Sequence, residues 1–363
     1  MRIREATPED KATWDAFVDT EGGNFFHYFD WKHVYDTRGD QFIPLLAETS
    51  TSRWLGILPI VREDRLLYSV LHADIKSGIK SGGLLLKRNL SDAERYETIS
   101  AFSQYVDTHY SRGCSRFTLR ECLPPADALS EEPTAALLDN GFRFRYDELA
   151  HLPCTFTLEL EQPFEENIWQ GLWSRNLRKK LNKARRKGVV VIQDTEWNYA
   201  TDFIDMVIEN YERHGTTVMT REEITVTLNT FRDKARLFVA LRDNQPIVAS
   251  VCYYHVSTCF LAEIGSYSKD TEDANLLCYL AAIEDACSTG YKFADLGFTA
   301  TSGLAYFKEQ FKATRIPFRT YEKRYSVPRA IMELGPLVLK NAWQDKAYIW
   351  NKRRKLWDSI LHW

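Results

Sequence analysis

Thirteen residues from Arg175 to Lys187, RNLRKKLNKARRK, carry eight positive charges and no negative one, inside a chain of formal net charge −3. Removing those eight leaves −11 for everything else. Solubility would be served by scattering such charge, so its concentration points to a local site for a phosphorylated or polyanionic ligand. Arg175, Arg178 and Lys179 are the candidate phosphate contacts. A second cation stands in GLAYFKEQF, where Leu304, Phe307 and Phe311 form an apolar stripe. At 100° per residue Lys308 falls about 40° from Leu304, beside the core rather than in water. A lysine there snorkels, pairs with an anion, or loses charge to desolvation. It is also placed to stabilise negative charge developing on a reacting carbonyl. The strand FADLG and the loop TATSG precede it, and the loop's N–H groups at a helix start suit an oxyanion or phosphate. Asp295 in that strand can orient the lysine or bond the loop. Arg213, in YERHG at a helix end, is a further anion contact, although a cation there also favours the helix dipole.

Other chemistries lack their residues. The chain has no HExxH, no P-loop, no GxSxG elbow and no dinucleotide glycine fingerprint after a strand, so no metal or cofactor is implied. The eight histidines are scattered; His27 and His33 are six residues apart on an aromatic segment that suits structural roles. Seven cysteines without a CxxC pair read as reduced thiols.

The elements that must hold these groups follow a repeated grammar. Ser174 is a candidate N-cap for the basic helix, Leu177, Leu181 and Ala184 give it one apolar stripe, and Gly188 can close it before VVVI. The first half reads as strand IREAT, helix KATWDAFVDT, a helical aromatic segment FFHYFDWKHVYD, strands FIPLLAET, RWLGILPIVRE and RLLYSVLHA, a long helix from SDAERYET, and strand SRFTLREC. The second half repeats a meander, RLFVALRD, PIVASVCYYH and CFLAEIGSYS, then helix ANLLCYLAAIEDACSTG, strand YKFADLGF, helix GLAYFKEQFK and strand IPFRTYEKRYS. Helix, glycine and strand recur in register: Gly113 to Leu119 and Gly290 to Leu296 are both six-residue intervals. The expectation is an α+β fold of two duplicated domains with mixed, mostly antiparallel sheets, divided as 1–152 and 153–327, with a helical tail at 328–363.

Composition is that of a soluble globular protein, 44% hydrophobic and 27% charged. MRIREATPEDK has no apolar export core and no run of eighteen apolar residues occurs, so no transmembrane segment is expected and the cytoplasm is the default. In the tail, Trp343, Trp350 and Trp357 recur every seven residues, a stripe that suits docking on the first domain or a peripheral membrane contact.

Taken together, SRNLRKKLNKARRKGVVV, YERHG, the run ending FADLG and GLAYFKEQF resemble the FemABX family of aminoacyl and peptidyl transferases, within the BioF2-like acyltransferase domains of the GNAT superfamily. FFHYFDW, GILPIV and SGGLLL are similar to that family's first domain. The resemblance implies two GNAT-like domains that move an acyl group from charged tRNA, or an activated acyl carrier, to an amine. It implies further that Phe307 and Lys308 match the family's FK pair, that Arg213 matches an arginine contacting acceptor phosphates, and that Trp31 lies on the acceptor side. The acceptor it implies is a cell-envelope or peptide-like amine, in the best-known branch that of a peptidoglycan precursor, whose phosphates Arg213 would contact.

The chain departs from the pattern in places. Lys312 follows Phe311 where the family has FKxxFG, Tyr35 stands one turn after Trp31 where a lysine is expected, and no coiled-coil insertion is present. KDTEDANLL lacks the glycine-rich turn that cradles the pyrophosphate of coenzyme A. The residues thus predict an amide-forming acyltransferase whose donor is aminoacyl-tRNA, a carrier thioester or acyl-CoA. Two other readings stand beside it: an acyl-CoA-dependent N-acetyltransferase, and a non-catalytic RNA-binding protein using the basic helix 175–187.

Overall fold

The computed structural model describes residues 1–76, 79–122, 132–145, 154–215, 218–268, 271, 273–299 and 301–326. The tail, with Trp343, Trp350 and Trp357, lies outside them. The first half contains β1 (Arg2–Glu5), α1 (Lys11–Thr20), α2 (Trp31–Arg38), β2 (Gln41–Glu48), β3 (Trp54–Asp64) and β4 (Ser69–Ala73). A small hairpin, β5 (Ile75–Lys76) and β6 (Ile79–Lys80), then leads to β7 (Leu85–Leu86), α3 (Asp92–His109), β8 (Cys114–Arg120), α4 (Ala135–Asp139) and β9 (Arg143–Arg145). The second half contains β10 (Cys154–Glu159), α5 (Arg175–Arg186), β11 (Val190–Gln193), α6 (Ala200–Arg213), α7 (Arg221–Thr230), β12 (Ala235–Arg242), β13 (Gln245–His255) and β14 (Thr258–Ser266). It closes with α8 (Ala274–Ser288), β15 (Phe293–Asp295), α9 (Ser302–Glu309), β16 (Thr314–Pro317) and β17 (Thr320–Arg324).

Local chemistry sets the helix ends. Before α3 the Ser91 hydroxyl accepts from the Glu94 N–H and the Glu94 carboxylate accepts from the Ser91 N–H, a reciprocal cap. Ser174 caps α5 by accepting from the Leu177 N–H at 3.2 Å, and Leu177, Leu181 and Ala184 are buried as their spacing requires. The aromatic segment differs from expectation. Phe25–His27 form one 3₁₀ turn and the α-helix begins only at Trp31, because Asn24 diverts the chain by accepting from the Phe26 N–H.

The two sheets share one plan. The first runs β1-β2-β3-β4-β8-β17-β9, with β7 also on β3, and the second runs β11-β12-β13-β14-β15-β10-β16. In each, one parallel pair, β4 with β8 or β14 with β15, joins an otherwise antiparallel sheet. The α+β fold of two mixed sheets is therefore present. The run IPFRTYEKRYS, expected as one strand of the second half, is instead two. β16 ends at Pro317 in the second sheet, Phe318 and Arg319 cross over, and β17 enters the first sheet between β8 and β9. β10 occupies the equivalent slot in the second sheet, between β15 and β16.

Three cores follow. Ile99, Phe102 and Val106 of α3 cover one face of the first sheet, and Leu277 and Ile283 of α8 with the α5 stripe cover one face of the second. The third core joins the halves: Phe25, Trp31 and Tyr35 pack with Met206, Phe231 and Tyr253. Phe25 stacks on Tyr253 with centroids 4.4 Å apart, a contact worth roughly 0.5–1.5 kcal/mol beyond its area. α6 approaches β14 so closely that a Cβ on Gly265 would lie 2.5 Å from the Met206 and Val207 backbone.

Candidate active site

Between the halves lies a cavity of about 1600 Å³, and its floor is where β14 and β15 part. They pair only over Thr258–Phe260 and Phe293–Asp295; β14 then continues to Ser266 while β15 ends. The chain after β15 turns at Gly297, whose φ of +84° suits glycine and whose Cβ would lie 2.6 Å from the Leu261 carbonyl oxygen. A side chain here would close the gap between the strands.

Lys308 of α9 reaches that turn from below and is 3% exposed. Its Nζ donates to the carbonyls of Gly297 at 2.6 Å and Phe298 at 3.1 Å and to the Thr299 Oγ1 at 2.9 Å. Desolvation pushes its pKa down to about 8, against the opposing pull of Asp295, Cys154 and Glu263. The ammonium thus fixes the loop with its hydrogen bonds and acts on the cavity through its field. Asp295 lines the same wall and accepts from the Thr155 hydroxyl and from the Gly297 N–H at 2.8 Å. Burial pushes its carboxyl up, while those bonds and the charges of Lys308 and Arg120 pull it back.

Further cavity residues were not singled out from the sequence. Glu263 of β14 accepts from the Tyr211 hydroxyl at 3.0 Å, placing an oriented carboxylate on the wall that Lys308 also lines. The bulge where β13 and β14 shift register, between Val251 and Cys252, lies opposite it. His255 Nε2 lies 3.2 Å from Asp19, which also accepts from the Tyr28 hydroxyl at 2.8 Å, so the wall is bonded across the halves. Burial lowers the pKa of His255, with Asp19 opposing. Arg120 and the ion pair of Arg319 with Glu121, 3.3 Å apart and nearly inaccessible, complete the first-half side. An acidic residue in the otherwise apolar FLAEIG run is the sequence signal by which Glu263 could have been found.

Several expected residues lie elsewhere. None of Arg175 to Lys187 lines the cavity. Arg175 and Lys179 face solvent, Arg178 donates to the Trp169 and Gln170 carbonyls, and Lys180 reaches Gln310 at 2.7 Å. The cationic helix therefore adjoins α9 from outside instead of converging with Lys308 on one crevice. Phe307 packs against Tyr279 and Phe311 in the core beneath the wall. Arg213 is occupied, donating to the Ser266 carbonyl at 2.6 Å and its hydroxyl at 3.3 Å. Trp31 is 2% exposed in the core between the halves, its Nε1 donating to the Phe25 carbonyl. Two of the loop N–H groups considered for an oxyanion are spent, Thr299 on the Cys154 carbonyl and Leu304 on the Thr301 hydroxyl. His27 is a buried structural residue whose Nδ1 accepts from the Asn24 N–H and whose pKa burial pushes down to about 3. Among the described residues no helix is long and apolar enough to cross a membrane.

One parallel pair in each of two otherwise antiparallel sheets, with a cavity between the halves, makes a tandem α+β arrangement. Residues 174–311 match the family model of the acetyltransferase (GNAT) domain. No curated protein matches the sequence. Among solved structures, FemX is similar over 92% of this chain and 99% of its own, at 13% identity and a TM-score of 0.63. L-PGS from Bacillus licheniformis is similar over 91% and 96%, at 14% identity and a TM-score of 0.55. A tandem GNAT protein from the clavulanic acid biosynthesis pathway is similar over 90% and 98%, at 9% identity and a TM-score of 0.54. The chain thus shares the fold of these structures, and its residues 174–311 are similar to the acetyltransferase (GNAT) domain.

Proposed function

We propose that this protein forms an amide by moving an activated aminoacyl group from a charged carrier, tRNA first among them, to the primary amine of a peptide-like or cell-envelope acceptor, in the cytoplasm. The observation that carries the reading is the juxtaposition, on one cavity wall at the parting of β14 and β15, of a buried ammonium, Lys308, and an oriented carboxylate, Glu263. Glu263 takes a proton as the amine nitrogen attacks the ester carbonyl carbon. The resulting tetrahedral oxyanion is stabilised by the Lys308 field. When the C–O bond breaks, the released hydroxyl of the carrier takes the proton and the amide remains. Asp295 and Thr155 hold the turn that shapes the site, and positioning of the two substrates supplies much of the acceleration.

Two features favour a carrier other than coenzyme A. Asp273 sits as N-cap of α8, at φ +67°, and puts a carboxylate where a helix start would otherwise attract a phosphate. The exposed cations of α5, outside the cavity yet against α9, suit the extended phosphates of a large carrier. The test follows label from aminoacyl-tRNA and from acyl-CoA into amide, with and without ribonuclease. Transfer abolished by ribonuclease is expected. Transfer from acyl-CoA that ribonuclease leaves intact would replace this donor with the second reading, which the GNAT-domain match favours.

A further inference from the structure

Arg120 ends β8 on the first-half side of the cavity. Its guanidinium carbon lies 3.7 Å from the centre of the Phe318 ring, and Phe318 stacks on Phe298 with centroids 5.8 Å apart. Phe298 belongs to the loop that Lys308 holds through its carbonyl. Two stacked rings therefore connect Arg120 to the reacting end of the cavity. Nη1 of Arg120 is buried with no hydrogen-bond partner. The nearby carboxylates are occupied or apart: Glu121 is paired with Arg319, Asp295 is bonded to Thr155 and Gly297, and Asp74 acts on Arg120 only through space. Burial lowers the guanidinium from its ordinary value, with Cys122, Asp295 and Asp74 offsetting this in part.

A half-buried guanidinium whose buried Nη1 has no partner carries a standing cost, which an acceptor supplied by a ligand on the cavity side would offset. Nη1 is covered, but Arg120 is half-buried and lines the cavity, so the Nε–Nη2 edge of its planar guanidinium is the side that two oxygens of one group would meet. We propose that Arg120 anchors an oxyanion, carboxylate or phosphate, carried by the acceptor whose amine is acylated. The acceptor is then an amino-acid-like or phosphorylated amine that spans the two rings from Arg120 to Glu263. This assignment of the acceptor rests on the acyltransfer reading above; the anion site itself does not.

The test is direct binding to the full chain, read as the thermal unfolding midpoint in titrations with acetate and with inorganic phosphate at constant ionic strength, sodium chloride serving as control. Wild type, Arg120→Met and Arg120→Lys are compared. The wild-type midpoint rises with at least one of the two anions, and Arg120→Met weakens that binding at least tenfold while its anion-free midpoint equals or exceeds the wild type's. Arg120→Lys keeps the charge without the fork and falls between them. A response to phosphate alone assigns a phosphorylated acceptor, and one to acetate alone a carboxylate. A wild-type response to neither anion, or an equal response in Arg120→Met, overturns the proposal. So does an anion-free midpoint lowered alike in Arg120→Met and Asp74→Asn, which would make Arg120 a counter-ion for Asp74. No turnover is needed, so failure of acyl transfer in the donor assay would sink the reaction assignment and leave this site standing.

Discussion

Lys308→Met removes the ammonium and keeps the length of the side chain, which separates action on the reaction from support of the loop. Nζ donates three hydrogen bonds, to Gly297, Phe298 and Thr299, and bonds to a charged group contribute about 1.5–3 kcal/mol each. Burial opposes them: a fall from the ordinary 10.5 to about 8 corresponds to roughly 3 kcal/mol against the charged form. The bonds exceed that cost, so the variant loses about 1.5–6 kcal/mol of stability at neutral pH. The sign with pH is fixed by the same values. Below pH 8 both states are protonated and the full penalty applies; from pH 8 to 10.5 the unfolded chain binds more protons, so the lysine's contribution to stability rises across that window. Guanidinium unfolding of both proteins through this range should therefore show the gap widening by about 3 kcal/mol. Catalysis moves the other way, since deprotonation removes the field on the oxyanion. The wild-type rate should fall with an apparent pKa near 8, and Lys308→Met should be about 10²–10³ slower with no alkaline limb. Initial rates with saturating labelled donor decide the matter. A Met variant that keeps the alkaline limb, or runs within about threefold of wild type, refutes the electrostatic role.

Glu263→Gln keeps a bond to Tyr211 and removes the base, so kcat should drop by about 10²–10⁴ with KM little changed; steady-state kinetics with varied acceptor measure this. Gly297→Ala forces a Cβ against the Leu261 carbonyl at positive φ and should cost about 1–3 kcal/mol in denaturant titrations. Lys179→Glu should do the opposite for the fold, because it turns the repulsive spacings to Arg175 and Lys183 into favourable ones of about 0.2–0.5 kcal/mol each. In the same variant the salt dependence of donor binding, followed by filter binding, should become shallower by about one unit of slope.

What could be read from the chain alone is what local chemistry decides. The cap of α5 at Ser174, its buried stripe, the turns at Gly113 and Gly290 and the meanders all depend on neighbours within a few residues. Lys308 could be placed beside the core because its helical angle relative to Leu304 is fixed, whereas the three oxygens that hold it come from a loop about ten residues earlier and left no pattern. The cations of α5 share charge with the cavity's ligands but not direction, and which way the polar side of a helix points is set by the sheet it packs on. Trp31 illustrates the same limit: the resemblance puts it on the acceptor side, whereas in the fold it packs against Phe231 in the core that joins the halves. Arg120 alternates in its strand like any outward residue, and only the return of Phe318 puts a ring over it.

That return has a mechanical outcome. Phe318 and Arg319 are all the chain there is between a strand of one sheet and a strand deep inside the other. Separating the sheets at this edge would strain that two-residue link or pull β17 from β8 and β9, so the crossover limits how far the cavity walls can part there. The same tether ties the width of the cavity mouth on this side to a link of two residues, Phe318 and Arg319, that are themselves part of its lining.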